Sequence, residues 1–155
     1  MPVETLKIFL DQHNVKYVSI THSPAYTARE VAASALVPRR EFAKAVIVKL
    51  DGRMAMAVLP AARRVNLEHL AKLAGVRRVE LAKEAEFRDR FPGCDVGAEP
   101  PFGNLYGMDV YVDVDLTRDD EIFFNAGAHT QVVHMFYADY ERLVKPTLGE
   151  FAEKT

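Results

Sequence analysis

Two β-prone runs, Ala43-Lys44-Ala45-Val46-Ile47-Val48-Lys49-Leu50 and Arg53-Met54-Ala55-Met56-Ala57-Val58-Leu59, are joined by nothing but Asp51-Gly52. Asp-Gly tolerates the positive φ values of a two-residue turn, so the segment predicts a tight antiparallel hairpin. Whatever else the chain does, it must build a sheet on this pair.

The flanking patterns indicate what surrounds the hairpin. Val3, Leu6, Phe9, Leu10 and His13 recur at helical spacing behind Pro2, which suits a first turn, and predict an amphipathic helix over 3–13 that packs on a sheet. Residues 15–22 read as a short strand, broken by Ser23-Pro24. Thr27-Ala28-Arg29-Glu30 is a capping-box pattern that opens a helix running to about Ala35, with Pro38 closing the segment. Asn66 is placed to cap a helix over 67–74 and Gly75 to end it in a left-handed conformation.

Further on, 77–81 reads as a short strand and 83–90 as a charged helix that stops before Pro92-Gly93. The glycine- and proline-rich stretch 94–107 predicts a structured loop. Residues 109–116, 121–125 and 130–136 alternate as strands do, the last two around Ala126-Gly127-Ala128, and 137–144 is a final helix. Strands and helices interleave without βαβ spacing, so the fold class is α+β with a mixed sheet curled toward a barrel, in preference to a doubly wound fold.

With 155 residues the chain can enclose one core and is too short for two ordinary domains, so residues 1–155 are expected to form one domain. No apolar run approaches the roughly 18 residues of a membrane helix, and a cytoplasmic protein without a membrane partner is expected. The single Cys94 excludes an internal disulfide and a multi-cysteine metal site. A net charge of −2 means that any contact with nucleic acid needs a local basic patch, and Arg39-Arg40, Arg63-Arg64 and Arg77-Arg78 are the paired cations available.

Several kinds of chemistry lack their residues. There is no Gly-x-Ser-x-Gly elbow, no P-loop and no Gly-x-Gly-x-x-Gly. His22 and Ser23 are strand neighbours that point to opposite faces, which argues against a nucleophile pair. His129 and His134 are an odd number of residues apart on one apparent strand, so no metal and no cofactor is expected.

Three segments combine unusual backbone with polar side chains. Lys44 heads an apolar strand, where an ammonium snorkels outward unless an anion waits inside. In Gly97-Ala98-Glu99-Pro100-Pro101-Phe102-Gly103 the prolines fix φ while the glycines permit close approach of a ligand. Asn125-Ala126-Gly127-Ala128-His129-Thr130 is a glycine-centred bend carrying an amide, an imidazole and a hydroxyl. Taken singly, each is more often structural than functional.

Their order and spacing, together with the opening Thr21-His22-Ser23-Pro24-Ala25-Tyr26-Thr27, resemble the YbaK/prolyl-tRNA synthetase-associated family over nearly the whole chain. The resemblance implies a mixed, largely antiparallel sheet closed into a barrel-like core with helices outside, and aminoacyl-tRNA deacylase activity. It implies catalytic roles for Lys44, Gly127 and His129. Substrate contacts are implied for His22, Tyr26, Gly97, Pro100, Pro101, Phe102, Gly103, Asn125 and Ala128. Family members acting on alanyl-tRNA often carry asparagine after the lysine, whereas Ala45 follows Lys44 here, which leaves the edited amino acid open.

The implied partner is the acceptor end of an aminoacyl-tRNA, tRNA-Pro first, with a synthetase as a further candidate and no DNA. Phosphate contacts are expected from Lys44 and from Arg39, Arg40 or Lys49 around the mouth. A small pocket would admit alanine, serine or cysteine and reject a larger cognate residue, the logic of a second sieve. The alternatives are a non-catalytic module of the same fold that binds tRNA, a nucleotide or a synthetase, and a small-ester hydrolase using the same pocket.

Overall fold

The computed structural model describes residues 2–23 and 42–155. The capping box at Thr27 to Glu30 and its helix lie outside the described residues. Helix α1 (Pro2–Gln12) leads into β1 (Tyr17–Thr21), and the expected hairpin follows as β2 (Ala43–Leu50) and β3 (Arg53–Pro60). The two strands pair antiparallel from Ala43↔Pro60 to Leu50↔Arg53, around Asp51 at φ 48° and Gly52 at φ 91°. The Asp51 carboxylate accepts hydrogen bonds from the amides of Arg77 at 3.2 Å and Arg78 at 2.9 Å, so its side chain also pins the turn.

The hairpin is buried on both faces, which explains its unbroken apolar runs. Ala43 and Ile47 of β2, with Met56 and Val58 of β3, face a larger core that also holds Leu6 and Leu10 of α1. Val48 and Leu50, with Ala55, Ala57 and Leu59, face a second core containing Leu70, Tyr111 and Phe151. Leu70 belongs to α2 (Leu67–Ala74), whose ends behave as expected. Asn66 accepts from the His69 amide, and Gly75 takes φ 69°.

Strand β4 (Arg63–Val65) precedes α2; β5 (Val79–Leu81) and the short α3 (Glu84–Phe87) follow it. The charged helix expected over 83–90 is therefore one turn of α-helix continued by a 3-10 turn, Arg88–Arg90. Strand β6 (Asp109–Asp113) ends earlier than the expected 109–116, because the Asp113 side chain accepts from the Asp115 amide and opens a 3-10 turn, Val114–Arg118. Then come β7 (Glu121–Asn125), β8 (Gln131–Phe136), α4 (Tyr137–Val144), β9 (Thr147–Gly149) and β10 (Ala152–Lys154).

The strands form a five-stranded mixed sheet in the order β5-β2-β3-β6-β9, an antiparallel sheet β1-β8-β7, and a ladder β10-β4. Both pairings of β6 are parallel and the rest are antiparallel. A parallel bridge, Phe42↔Phe123, links the two larger sheets. The α+β class is as expected; among the described residues the sheets do not close into one barrel. No helix among them is long and apolar enough to cross a membrane.

Candidate active site

Two glycine-containing loops, far apart in sequence, are zipped together by their backbones. Asp95 donates its amide to Gly127 O at 2.8 Å, and Gly127 donates its own to Ala98 O at 2.8 Å. The His129 amide reaches the Asp95 carboxylate at 3.1 Å, and His129 Nε2 lies 2.8 Å from Val96 O. Gly97 at φ 86° and Gly127 at φ 95° adopt left-handed backbone that a side chain would strain. Both glycines are thus needed for the turns that bring the loops into register.

The contact to Val96 fixes the role of His129. A carbonyl oxygen only accepts, so Nε2 carries the proton and Nδ1 holds the lone pair in the neutral ring. His129 is exposed, its ring lying over Gly97. The expectation that His129 and His134 share one strand is corrected: β8 begins at Gln131, and His129 lies in the preceding turn. His134 stacks on Phe123 at 4.0 Å and 4°.

Next to the zipped loops, one face of the β1-β8-β7 sheet carries polar side chains. Register places Ile20, Val132 and Asn125 in a row, on the face where Phe42, Phe123 and Val132 pack together. The parallel Phe42↔Phe123 bridge brings the head of β2, of which Lys44 is the second residue, against β7, which ends at Asn125. His22 follows Ile20 on the same face, its amide donating to Thr130 O at 2.9 Å. The His22 ring donates Nδ1–H to Ser23 O at 3.0 Å, which engages the imidazole with backbone.

Two buried acceptors on this face then stand out. Among the described residues, His22 Nε2, the lone-pair nitrogen, has no hydrogen-bond partner, and neither has Asn125 Oδ1. Leaving such atoms unpaired costs about 1–3 kcal/mol each, an expense that folding alone does not explain. Two such acceptors suit a ligand that carries N–H or O–H donors.

The other expected contacts divide by burial. Ala128 is half-buried in the bend beside Gly127 and His129. Pro100, Pro101, Phe102 and Gly103 are buried. Phe102 packs its ring against Phe9, Phe124 and Tyr140, and Pro101 O accepts from the Tyr140 hydroxyl at 2.6 Å. A Cβ on Gly103 would meet Val110 Cγ2 at 2.9 Å and Met56 Cβ at 3.2 Å, so the close approach there comes from the core. These four residues hold the loop from behind. Tyr26, Arg39 and Arg40 lie outside the described residues.

Lys49 sits at the opposite end of β2 from Lys44 and pairs with Glu86 at 2.7 Å, a bond that raises the lysine pKa and lowers that of the carboxyl. It is therefore removed from the mouth of the site. Asp95 was missed by sequence reasoning although it clamps His129; the available signal was an Asx residue in a glycine-rich loop. Buried Glu99 was likewise missed, its carboxylate accepting from the Gly97 amide at 3.3 Å.

Comparison with known proteins supplies the biochemical context. The profile of the aminoacyl-tRNA editing domain family matches residues 22–143. The multifunctional Ser/Thr-tRNA deacylase ProXp-y of Escherichia coli strain K12 is 32% identical over 153 residues, covering 96% of this chain and 91% of the relative. A solved structure of a candidate trans-editing enzyme for prolyl-tRNA synthetase superposes with TM-score 0.83 at 18% identity, covering 98% of this chain and 97% of that one. A hypothetical protein gives TM-score 0.82 at 20% identity, with coverages of 96% and 99%. These two structural likenesses speak to the fold alone.

Proposed function

The chain belongs to the aminoacyl-tRNA editing domain family and is an aminoacyl-tRNA deacylase, and from that premise we propose that it clears a small amino acid of the alanine, serine or cysteine class from mischarged tRNA. Serine is the first choice among these, because a relative alike over nearly its whole length is a Ser/Thr-tRNA deacylase. tRNA-Pro is the acceptor favoured by the motif resemblance, with the protein acting as a free-standing cytoplasmic factor and a synthetase as a further partner. We also read the Phe42↔Phe123 bridge as the seam along which the two larger sheets curl toward a barrel-like core.

The observation that carries this reading is the pair of buried acceptors that find no partner among the described residues, His22 Nε2 and Asn125 Oδ1, in the sheet that the Phe42↔Phe123 bridge joins to the head of the Lys44 strand. The α-ammonium of an aminoacyl ester and the attacking water both offer donors to such acceptors. Lys44 supplies positive charge to the terminal phosphate or to the oxyanion that forms when water adds to the ester carbonyl. The carbon–oxygen bond to the ribose then breaks, and the departing ribose oxygen takes a proton. Passing that proton through the neighbouring ribose hydroxyl accounts for a site without a nucleophilic triad. His129, held by Val96 and Asp95, positions the loop and presents Nδ1.

Turnover tests the reading. Pure protein incubated with alanyl-, seryl-, threonyl- and cysteinyl-tRNA is expected to release amino acid faster than buffer, seryl-tRNA first. Binding without release would favour a non-catalytic module, and equal cleavage of simple esters without the tRNA body would favour a small-ester hydrolase.

A further inference from the structure

Among the described residues, the arginine and lysine ion pairs Arg53–Asp109, Arg64–Glu153, Arg78–Glu80, Arg142–Asp139 and Lys49–Glu86 match one cation to one carboxylate. Asp115 is different. It takes both Arg63, at 3.6 Å, and Arg118, at 3.0 Å. The β4–β10 register also sets Arg63 directly opposite Lys154, a like-charge cross-strand pair that opposes ladder stability. Two guanidiniums therefore share one carboxylate, with a third cation, Lys154, across the ladder from Arg63, in a chain whose net charge is −2.

The cluster lies at the end of the five-stranded sheet where Lys44 is found. Pro60 pairs with Ala43, the residue before Lys44, and the Ala61 amide donates to Phe42 O at 2.8 Å, two residues before Arg63. Because β6 runs parallel to β3, the Val114–Arg118 turn emerges at the same end. Pro60, Arg63, Asp115 and Arg118 line a cleft of about 130 Å³, well below the size of pockets that enclose whole ligands. It suits one charged group of a larger molecule. Each guanidinium has five donors, and a single shared carboxylate cannot use them all.

We propose that Arg63, Arg118 and Lys154 form a phosphate-binding patch that holds the tRNA backbone beside the Lys44 site. The patch anchors the RNA, while the ester is hydrolysed at the Lys44 face. This assignment rests on the deacylase reading.

The test measures uncharged-tRNA affinity across a salt series, and single-turnover release from seryl-tRNA, for the full chain and three variants. Arg63→Ala with Arg118→Ala is expected to weaken tRNA binding roughly tenfold at low salt. The slope of log affinity against log salt should become shallower by about 1 for each phosphate that is no longer neutralised, with the release rate at saturating tRNA unchanged. Arg118→Ala alone, at a side chain 68% exposed, should give about half the slope change without a folding defect. Asp115→Asn should act in the opposite direction and bind tRNA about threefold more tightly.

Wild-type affinity and slope in both arginine variants, or no gain in Asp115→Asn, would overturn the assignment. So would a nucleoside triphosphate binding with the same residue dependence while tRNA binding stays unchanged. If wild-type protein releases nothing from any charged tRNA, the deacylase reading fails instead, independently of the slopes.

Discussion

Gly97 is seated against the imidazole of His129: a Cβ built on Gly97 would stand 3.5 Å from Cε1 and 3.8 Å from Nε2. Those are ordinary contact distances, so there is room for a methyl group. What the position does not tolerate is the backbone, since φ is 86°.

Gly97→Ala is therefore expected to cost about 1–2 kcal/mol through conformational strain rather than collision. Relief of that strain would shift the 95–98 turn and loosen the Val96 contact to His129. Urea denaturation reads the first effect. A fall in single-turnover deacylation, with tRNA affinity retained, reads the second.

Asn125→Ala separates function from folding. Its Oδ1 is buried with no partner among the described residues, so removing the amide should leave stability unchanged or raise it by about 1 kcal/mol. Deacylation should nevertheless fall at least tenfold, because the acceptor offered to substrate is gone. Paired melting curves and single-turnover assays on the same preparation check both signs.

Asp113→Ala predicts the reverse pattern. Asp113 is 2% exposed, and its carboxylate accepts from the amides of Phe151 at 2.9 Å, Ala152 at 2.8 Å and Asp115 at 3.0 Å. Removing it strands three amides and should cost roughly 3 kcal/mol or more. Catalysis by the remaining folded protein should stay near wild type when normalised to the folded fraction.

The features legible in the chain are those whose cause is local. Asp51-Gly52 sufficed for the hairpin, and Asn66 and Gly75 for both ends of α2, because each turn or cap is made by residues a few positions apart. The β4–β10 ladder had no such signal: it joins three-residue strands almost ninety positions apart, and Asp113 ends β6 while serving amides of the last strand segment. In the site, the two glycine bends were visible one at a time, but the hydrogen bonds that join them depend on tertiary structure. Lys49 was misplaced for a simple geometric reason. Five residues along a strand separate it from Lys44 by roughly 16 Å, and Glu86, supplied by α3, holds it there.

Ester hydrolysis is expected where the head of the Lys44 strand meets the sheet carrying Asn125 and His22. The most direct measurement is single-turnover release of serine from seryl-tRNA by the wild-type protein and by Lys44→Ala, with folding confirmed by circular dichroism. Rapid release by the wild type is expected, with a loss of roughly a hundredfold or more in the variant, on the scale of removing one transition-state electrostatic contact. Release by Lys44→Ala at the wild-type rate would contradict it.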